Sequence, residues 1–252
     1  MKKIYRIALL CLITLFLTDT TARASVIEDR LNDAASPVTT PANSYLIGGA
    51  SLTGLLFLLR HNVDEPLQIR TAANPPLSHS LERLGYHGGE LYPNLGYVGI
   101  MLVEAAFGVD RALTRVDMMV SASAYSGAVE VLLKSVVHET RPNNYDQKAF
   151  PSGHATVAYA FASVVASEHP WYIGVPAYAL ATLTGYSRMN DNAHYLHDVI
   201  AGATIGISYG LGMHYRRPEG GSSADAPVPT HSWNLQLLPM ETGAGIFAST
   251  KF

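Results

Sequence analysis

A chain of 252 residues with a net charge of -3 can bury one sizeable core, and it lacks the basic stripe that a nucleic-acid backbone demands. Its mean hydropathy of +0.13, with 48% hydrophobic and 15% charged residues, lies between those of soluble helical proteins and membrane proteins. Cys11 is the single cysteine, which excludes an internal disulfide.

The first segment reads as an export signal. Lys2, Lys3 and Arg6 form a basic start, Ile7 to Leu17 an apolar core, and Ala22-Arg23-Ala24 a small-x-small cleavage site. Residues 1–24 are therefore expected to be a signal peptide, with export to the periplasm. Cys11 then leaves with the signal, and Leu10 before it argues against a lipid-anchored cysteine.

Residues 25–44 are polar, contain Pro37 and Pro41, and read as a linker or a short surface helix. A helical bundle is expected over 45–217. Its apolar helices fall at Tyr45–Leu59, Leu95–Gly108, Asp117–Glu139, His154–Ser167, Ile173–Tyr186 and Tyr195–Tyr215, separated by prolines such as Pro142 and Pro170. Between the first two lies a mixed Pro, Gly and His stretch in which Leu77–Leu84 is a candidate amphipathic helix. Residues 218–252 comprise a Gly/Ser/Ala/Pro spacer followed by alternating Trp233-Leu235-Leu237 and Ile246-Ala248-Thr250, the pattern of a hairpin. The expected class is all-α, a bundle of about six core helices with a short C-terminal β-hairpin.

Each apolar run falls short of the roughly 20 residues that a bilayer core asks for. Glu104, Asp110 and Glu130 lie in or beside these runs, where a membrane would make carboxylates costly. If all six helices spanned after signal cleavage, the loops after the third and fifth would face the cytoplasm. The expectation is a periplasmic bundle that lies on, or partly in, the membrane.

Charge and imidazole concentrate between Lys134 and Asp198. Lys134 and Arg141 are seven residues apart, so on one helix they share a face. Ser152 is a natural helix cap, and the free amides from Gly153 onward, at the positive end of a helix dipole, suit an anion. Gly153 carries no side chain to block a ligand. Ser187-Arg188 ends one helix, and His194 opens the next with Asp198 at i+4. A carboxylate holding one ring nitrogen leaves the other free as nucleophile or base. His197 is a rival at i+3 from His194, but no carboxylate follows it one turn on, so it is ranked a neighbour. A zinc site from His154, His194, His197 and Asp198 is disfavoured by Lys134, Arg141 and Arg188, which repel a cation.

Together these segments resemble the tripartite motif of the type 2 phosphatidic acid phosphatase and vanadium haloperoxidase superfamily, K-x6-R-P, P-S-G-H and S-R-x5-H-x3-D, with every fixed position matched in order. Only eight residues separate Pro142 from Pro151, which leaves little room for an inserted lid. The resemblance implies a helical phosphatase without a cofactor. His194 would form a phosphohistidine, Asp198 would orient it, and His154 would be general acid and then base. Lys134, Arg141, Arg188, Ser152 and Gly153 would hold the phosphoryl oxygens. The implied substrate is a phosphorylated lipid such as a phosphatidate or isoprenyl diphosphate. The competing readings are a soluble non-specific acid phosphatase acting on small phosphate esters, a vanadate-dependent haloperoxidase, and a non-catalytic membrane-interaction protein. The remaining histidines are assigned to surface or structural roles.

Overall fold

The computed structural model describes residues 20–218, with side chains from Ser25 onward, and the backbone of residues 233–240 and 243–250. The signal-peptide segment therefore lies outside the described residues apart from 20–24, and the spacer over 219–232 lies outside them entirely. The expected hairpin is described only as a backbone pairing of β1 (Trp233–Met240) with β2 (Gly243–Thr250). The fold class rests on the helices alone.

Among the described residues there are nine α-helices rather than six. They are α1 (Thr20–Thr39), α2 (Asn43–Leu58), α3 (Glu65–Ala73), α4 (His79–Gly88), α5 (Tyr92–Ala106), α6 (Ala112–Val136), α7 (Gly153–Glu168), α8 (Trp171–Asn190) and α9 (Leu196–Arg216), with a π-helical turn at Arg60–Asp64. The stretch expected as a linker or short surface helix is helical through Thr39, with Asp33 and Ser36 buried. The extra elements come from the mixed stretch. In α3, Pro66 sits in the first turn, where a missing N–H costs nothing. Helix α4 is short and amphipathic behind an extended Ser78. At nine and ten residues, both are too short for periodicity to stand out.

The bundle is organised by the contact between α7 and α9. Gly202, Gly206 and Gly210 recur every four residues, so they line one face of α9. A Cβ on Gly202 would lie 2.4 Å from the Ser152 carbonyl oxygen, and one on Gly206 2.4 Å from that of Thr156. At Gly210 it would lie 2.5 Å from Ser163 Cβ. Partners that climb together in residue number mean that the two helices run parallel at backbone contact distance. Helix α8 returns antiparallel alongside α7, with Gly174 against Ala166 at one end and Gly185 against Val199 of α9 at the other. One end of the bundle therefore gathers the N-termini of α7 and α9 with the C-termini of α6 and α8. At the opposite end, buried Glu168 takes Arg111, Arg115 and His214.

This contact predicts a stability effect. Gly206→Ala should destabilise the fold by about 1–3 kcal/mol despite alanine's better helix propensity, because the added carbon meets backbone on α7 and overpacks it. A thermal melt of the variant checks this.

Met118, Met119, Ala158, Val164, Ile205 and Met213 are among the core residues. Large apolar side chains also face outward on several helices, including Leu58 at 82% and Phe107 at 84% exposure. Helix α6 is long and apolar enough to cross a membrane, and α2 with the segment Arg60–Ala73 passes the same test as a pair bent by 75°.

Candidate active site

All eight residues singled out in the sequence lie at the end of the bundle where α7 and α9 begin. His194 does not open a helix, as expected, but lies two residues before one, ahead of the N-cap. Tyr195 is the extended N-cap of α9, and the backbone N–H groups of Ala193 and His194 donate to the Arg188 carbonyl. Asp198 is in the first turn, where its Oδ2 accepts from the Tyr195 N–H at 2.9 Å. The same oxygen lies 3.5 Å from His194 Nδ1, which is ion-pair range and longer than a good hydrogen bond.

Lys134 and Arg141 are not on one helix. Helix α6 ends at Val136, and Val137 is extended. The segment that follows exchanges helical hydrogen bonds for others: the Arg141 N–H donates to the Asp146 carbonyl, and the Ala149 N–H to that of Glu139. This fold-back carries Arg141 to the entrance of α9. Its Nη1 donates to the Ala193 carbonyl at 3.1 Å and to His194 Nε2 at 3.0 Å, while Nε holds Asp146 at 2.7 Å. A guanidinium cannot accept, so Nε2 is the lone-pair nitrogen and the proton sits on Nδ1, facing Asp198.

Ser152 occupies the N-cap position of α7 without capping it. Its backbone N–H donates to the Asp198 carbonyl at 3.0 Å, tying the starts of the two helices together. Ser152 Oγ is buried and has no hydrogen-bond partner, and the same holds for Arg188 Nε and His154 Nε2. Lys134 Nζ is bonded to Glu130 and to the Pro151 carbonyl. The Glu130 carboxylate lies over Gly153, 2.8 Å from where a Cβ would be. A side-chain anion thus already lies at the N-terminus that the sequence marked for an anion. His154 packs on Tyr86 at 4.8 Å between ring centres, and Arg188 stacks over the same tyrosine while bonded to Asp191.

Burial, reinforced by Arg141, Lys134 and Arg188, holds His194 well below its ordinary pKa, so it is neutral and has a lone pair. Burial and Arg188 likewise lower His154 to about 4.

The sequence reading missed the layer behind these groups. His197 is fully buried, and it does have carboxylate partners, from distant segments. Nδ1 is bonded to Asp64, and Nε2 meets Glu139 at 2.9 Å and Asp198 Oδ1 at 3.3 Å. Asp64 also accepts from the N–H groups of Leu196 and His197, capping α9 from outside it. Burial opposes a charge on His197, but Asp64, Glu139 and Asp198 outweigh it and raise the ring to about 10. Ligand atoms of Glu139, His197 and Asp198 lie within 4.8 Å of one another, as in a metal site, yet both ring nitrogens are already committed to carboxylates. Neither Asp64, in Arg60-His61-Asn62-Val63-Asp64-Glu65, nor Glu139, in His138-Glu139-Thr140-Arg141, stands out from its polar neighbours, so the sequence carried no local signal for this layer.

The end of α8 and the turn over 191–193 are pinned by the mixed stretch. Gln68 donates to the Met189 carbonyl and to Asn192 Oδ1, and Asn190 bridges the Leu77 N–H and Glu82. Beside the site, an apolar groove of about 480 Å³ lined by Leu46, Phe57, Val129, Leu133 and Ile205 reaches Glu139 and Phe150. A polar cleft of about 370 Å³ adjoins it and opens onto Arg60, His138, Arg141 and Tyr195.

Residues 118–220 match the family described as the PAP2 superfamily. The chain is 34% identical over 116 residues to a lipid A 1-phosphatase of Porphyromonas gingivalis, covering 44% of this chain and 23% of the relative. A lipid A 1-phosphatase of Rhizobium johnstonii is 32% identical over 102 residues, covering 34% and 41%. The chain thus spans less than half the length of these relatives. Among solved structures, a transmembrane PAP2 type phosphatidylglycerolphosphate phosphatase from Bacillus subtilis is similar in fold, with a TM-score of 0.51 and 19% identity over 71% of this chain and 94% of that one.

Proposed function

Since the chain belongs to the PAP2 superfamily over residues 118–220, we propose that it is an exported, membrane-associated lipid phosphatase working through a phosphohistidine on His194. The observation that carries this reading is convergence. Three cations and two helix N-termini surround a neutral histidine, and Ser152 Oγ and Arg188 Nε are buried there without partners. A phosphoryl group has the charge and the acceptor oxygens to occupy them.

In this reading Nε2 of His194 attacks phosphorus, the bond to the leaving oxygen breaks, and that oxygen takes a proton from His154. Water then attacks the phosphohistidine while His154 takes up its proton, which releases phosphate and restores His194. Asp198 holds the Nδ1 proton throughout. Lys134, Arg141, Arg188, Ser152 and the Gly153 amide hold the phosphoryl oxygens as charge spreads in the transition state. To make room, Arg141 shifts from His194 to a phosphoryl oxygen and Glu130 leaves Gly153. Burial and the nearby cations keep His154 neutral; the arriving phosphate offsets the cations, so the ring gains the proton it later donates.

A lipid substrate is favoured by the apolar groove beside the polar cleft, by the outward-facing apolar side chains and by the names of the curated relatives. The test is phosphate release by the purified full chain, with chelator present. Detergent-dispersed lipid A 1-phosphate, phosphatidylglycerol phosphate, phosphatidate and an isoprenyl diphosphate would be compared with p-nitrophenyl phosphate. The expected result is a kcat/KM for at least one lipid that exceeds the soluble ester's by tenfold or more. Turnover of the soluble ester alone would replace the lipid reading with a soluble acid phosphatase. Halide oxidation with vanadate and peroxide would favour the haloperoxidase instead.

A further inference from the structure

We propose that His197 is a positioning residue for this reaction, a buried imidazolium that keeps the Asp198 carboxylate ionised and aimed at His194. The inference rests on the phosphatase reading and extends it to a residue outside the three motif segments' fixed positions.

Two ionised carboxylates on one ring call for a charged ring. A neutral imidazole has one N–H, yet both nitrogens of His197 face carboxylates, Asp64 on one side and Glu139 on the other. The ring is held in plane by Tyr195, stacked at 5.6 Å and 10°, and by Phe150 at 6.1 Å and 25°, with the Phe57 edge at 5.5 Å. It therefore cannot turn to offer a single nitrogen to both acids.

Asp198 faces charge from every element packed on it. His194 and the Tyr195 N–H lie beside it at the start of α9, and Glu139 comes from the fold-back after α6. From the π-helical turn before α3, Asp64 holds His197 and Arg60 holds Glu139 at 3.4 Å. Three carboxylates thus share two cations in a site without exposed surface on His197, Asp64 or Asp198. Burial, with Glu139 adding to it, raises Asp198 to about 7 even against the opposing imidazolium, so loss of that charge would raise it further. Without the imidazolium, Asp198 and Glu139 would share a proton. A protonated Asp198 would hold the Nδ1 proton of His194 only weakly and could not stabilise the positive charge that builds on that ring.

The experiment measures kcat and KM across pH for the full chain in detergent, with a lipid phosphate that the wild type turns over. His197→Gln keeps one hydrogen bond and removes the charge. It is expected to lower kcat at neutral pH roughly 10- to 100-fold, the scale seen when a partner that orients a reacting group is lost. KM should stay within about twofold, and the acid limb of kcat should move to higher pH, so that raising the pH restores activity. Glu139→Gln removes the neighbouring repulsion and should move the same limb to lower pH. It also serves as the second variant should His197→Gln fail to fold. Losses of equal size at every pH, with unshifted limbs, overturn the proposal and leave His197 a structural residue. An inactive wild type would instead sink the phosphatase reading and this inference with it.

Discussion

His194→Ala is expected to lower kcat by about 10⁵-fold or more while the variant melts close to the wild type, since loss of a nucleophile cannot be offset by binding. The side chain is buried but makes few bonds: one from Arg141, one with the Ala149 backbone and the ion-pair contact with Asp198. Trapping labelled enzyme after a short exposure to substrate should give an acid-labile phosphoryl adduct in the wild type and none in His194→Ala. In His154→Ala the adduct should form or break down slowly, because the proton donor and water activator is gone. Retention of most activity by His194→Ala, with labelling intact, would falsify the nucleophile assignment. A pH result follows from the same geometry. Burial and three cations keep His194 neutral well below the ordinary histidine range, so it remains a nucleophile as pH falls through about 6.5. The free-enzyme profile, kcat/KM, should show no loss there that is attributable to His194.

Asp64→Ala should have the largest effect on stability. This fully buried side chain accepts from two N–H groups of the first turn of α9 and holds His197. Breaking a buried pair by removing one partner costs about 3–5 kcal/mol, because the other charge stays behind. A drop in melting temperature far beyond that of Asp64→Asn, which keeps an acceptor for the helix amides, is the expected outcome. The sign of the pH effect can be worked out. His197 is raised to about 10 in the folded chain against an ordinary value near 6.5, so its contribution to stability is full below 6.5 and is lost as pH climbs through 10. The wild type should therefore melt at lower temperature on going from neutral pH to pH 10. In Asp64→Ala this dependence should weaken.

The residues of the proposed site could be singled out because they stand out. Lys134, Arg141, His154, Arg188, His194 and Asp198 interrupt apolar sequence at spacings that need no knowledge of the fold, and small residues around them mark the helix starts. What failed was local geometry. Lys134 and Arg141 were placed on one helical face by their spacing, but the chain leaves the helix at Val137 and returns Arg141 through hydrogen bonds to Asp146. His197 was discounted because carboxylates were sought one turn away on its own helix. Its partners are separated from it by 133 and 58 residues.

The sequence by itself determined a helical chain with a cluster of cations and histidines, since periodicity, caps and charge are local properties. Only the tertiary structure decided how the cluster is held. The glycine face of α9 lets α7 lie parallel to it at backbone contact, which brings two positive helix ends to one place. A buried network of Asp64, Glu139 and His197 then sets the state of Asp198. Such long-range pairing depends on which segments meet in space, and it leaves no pattern along the chain.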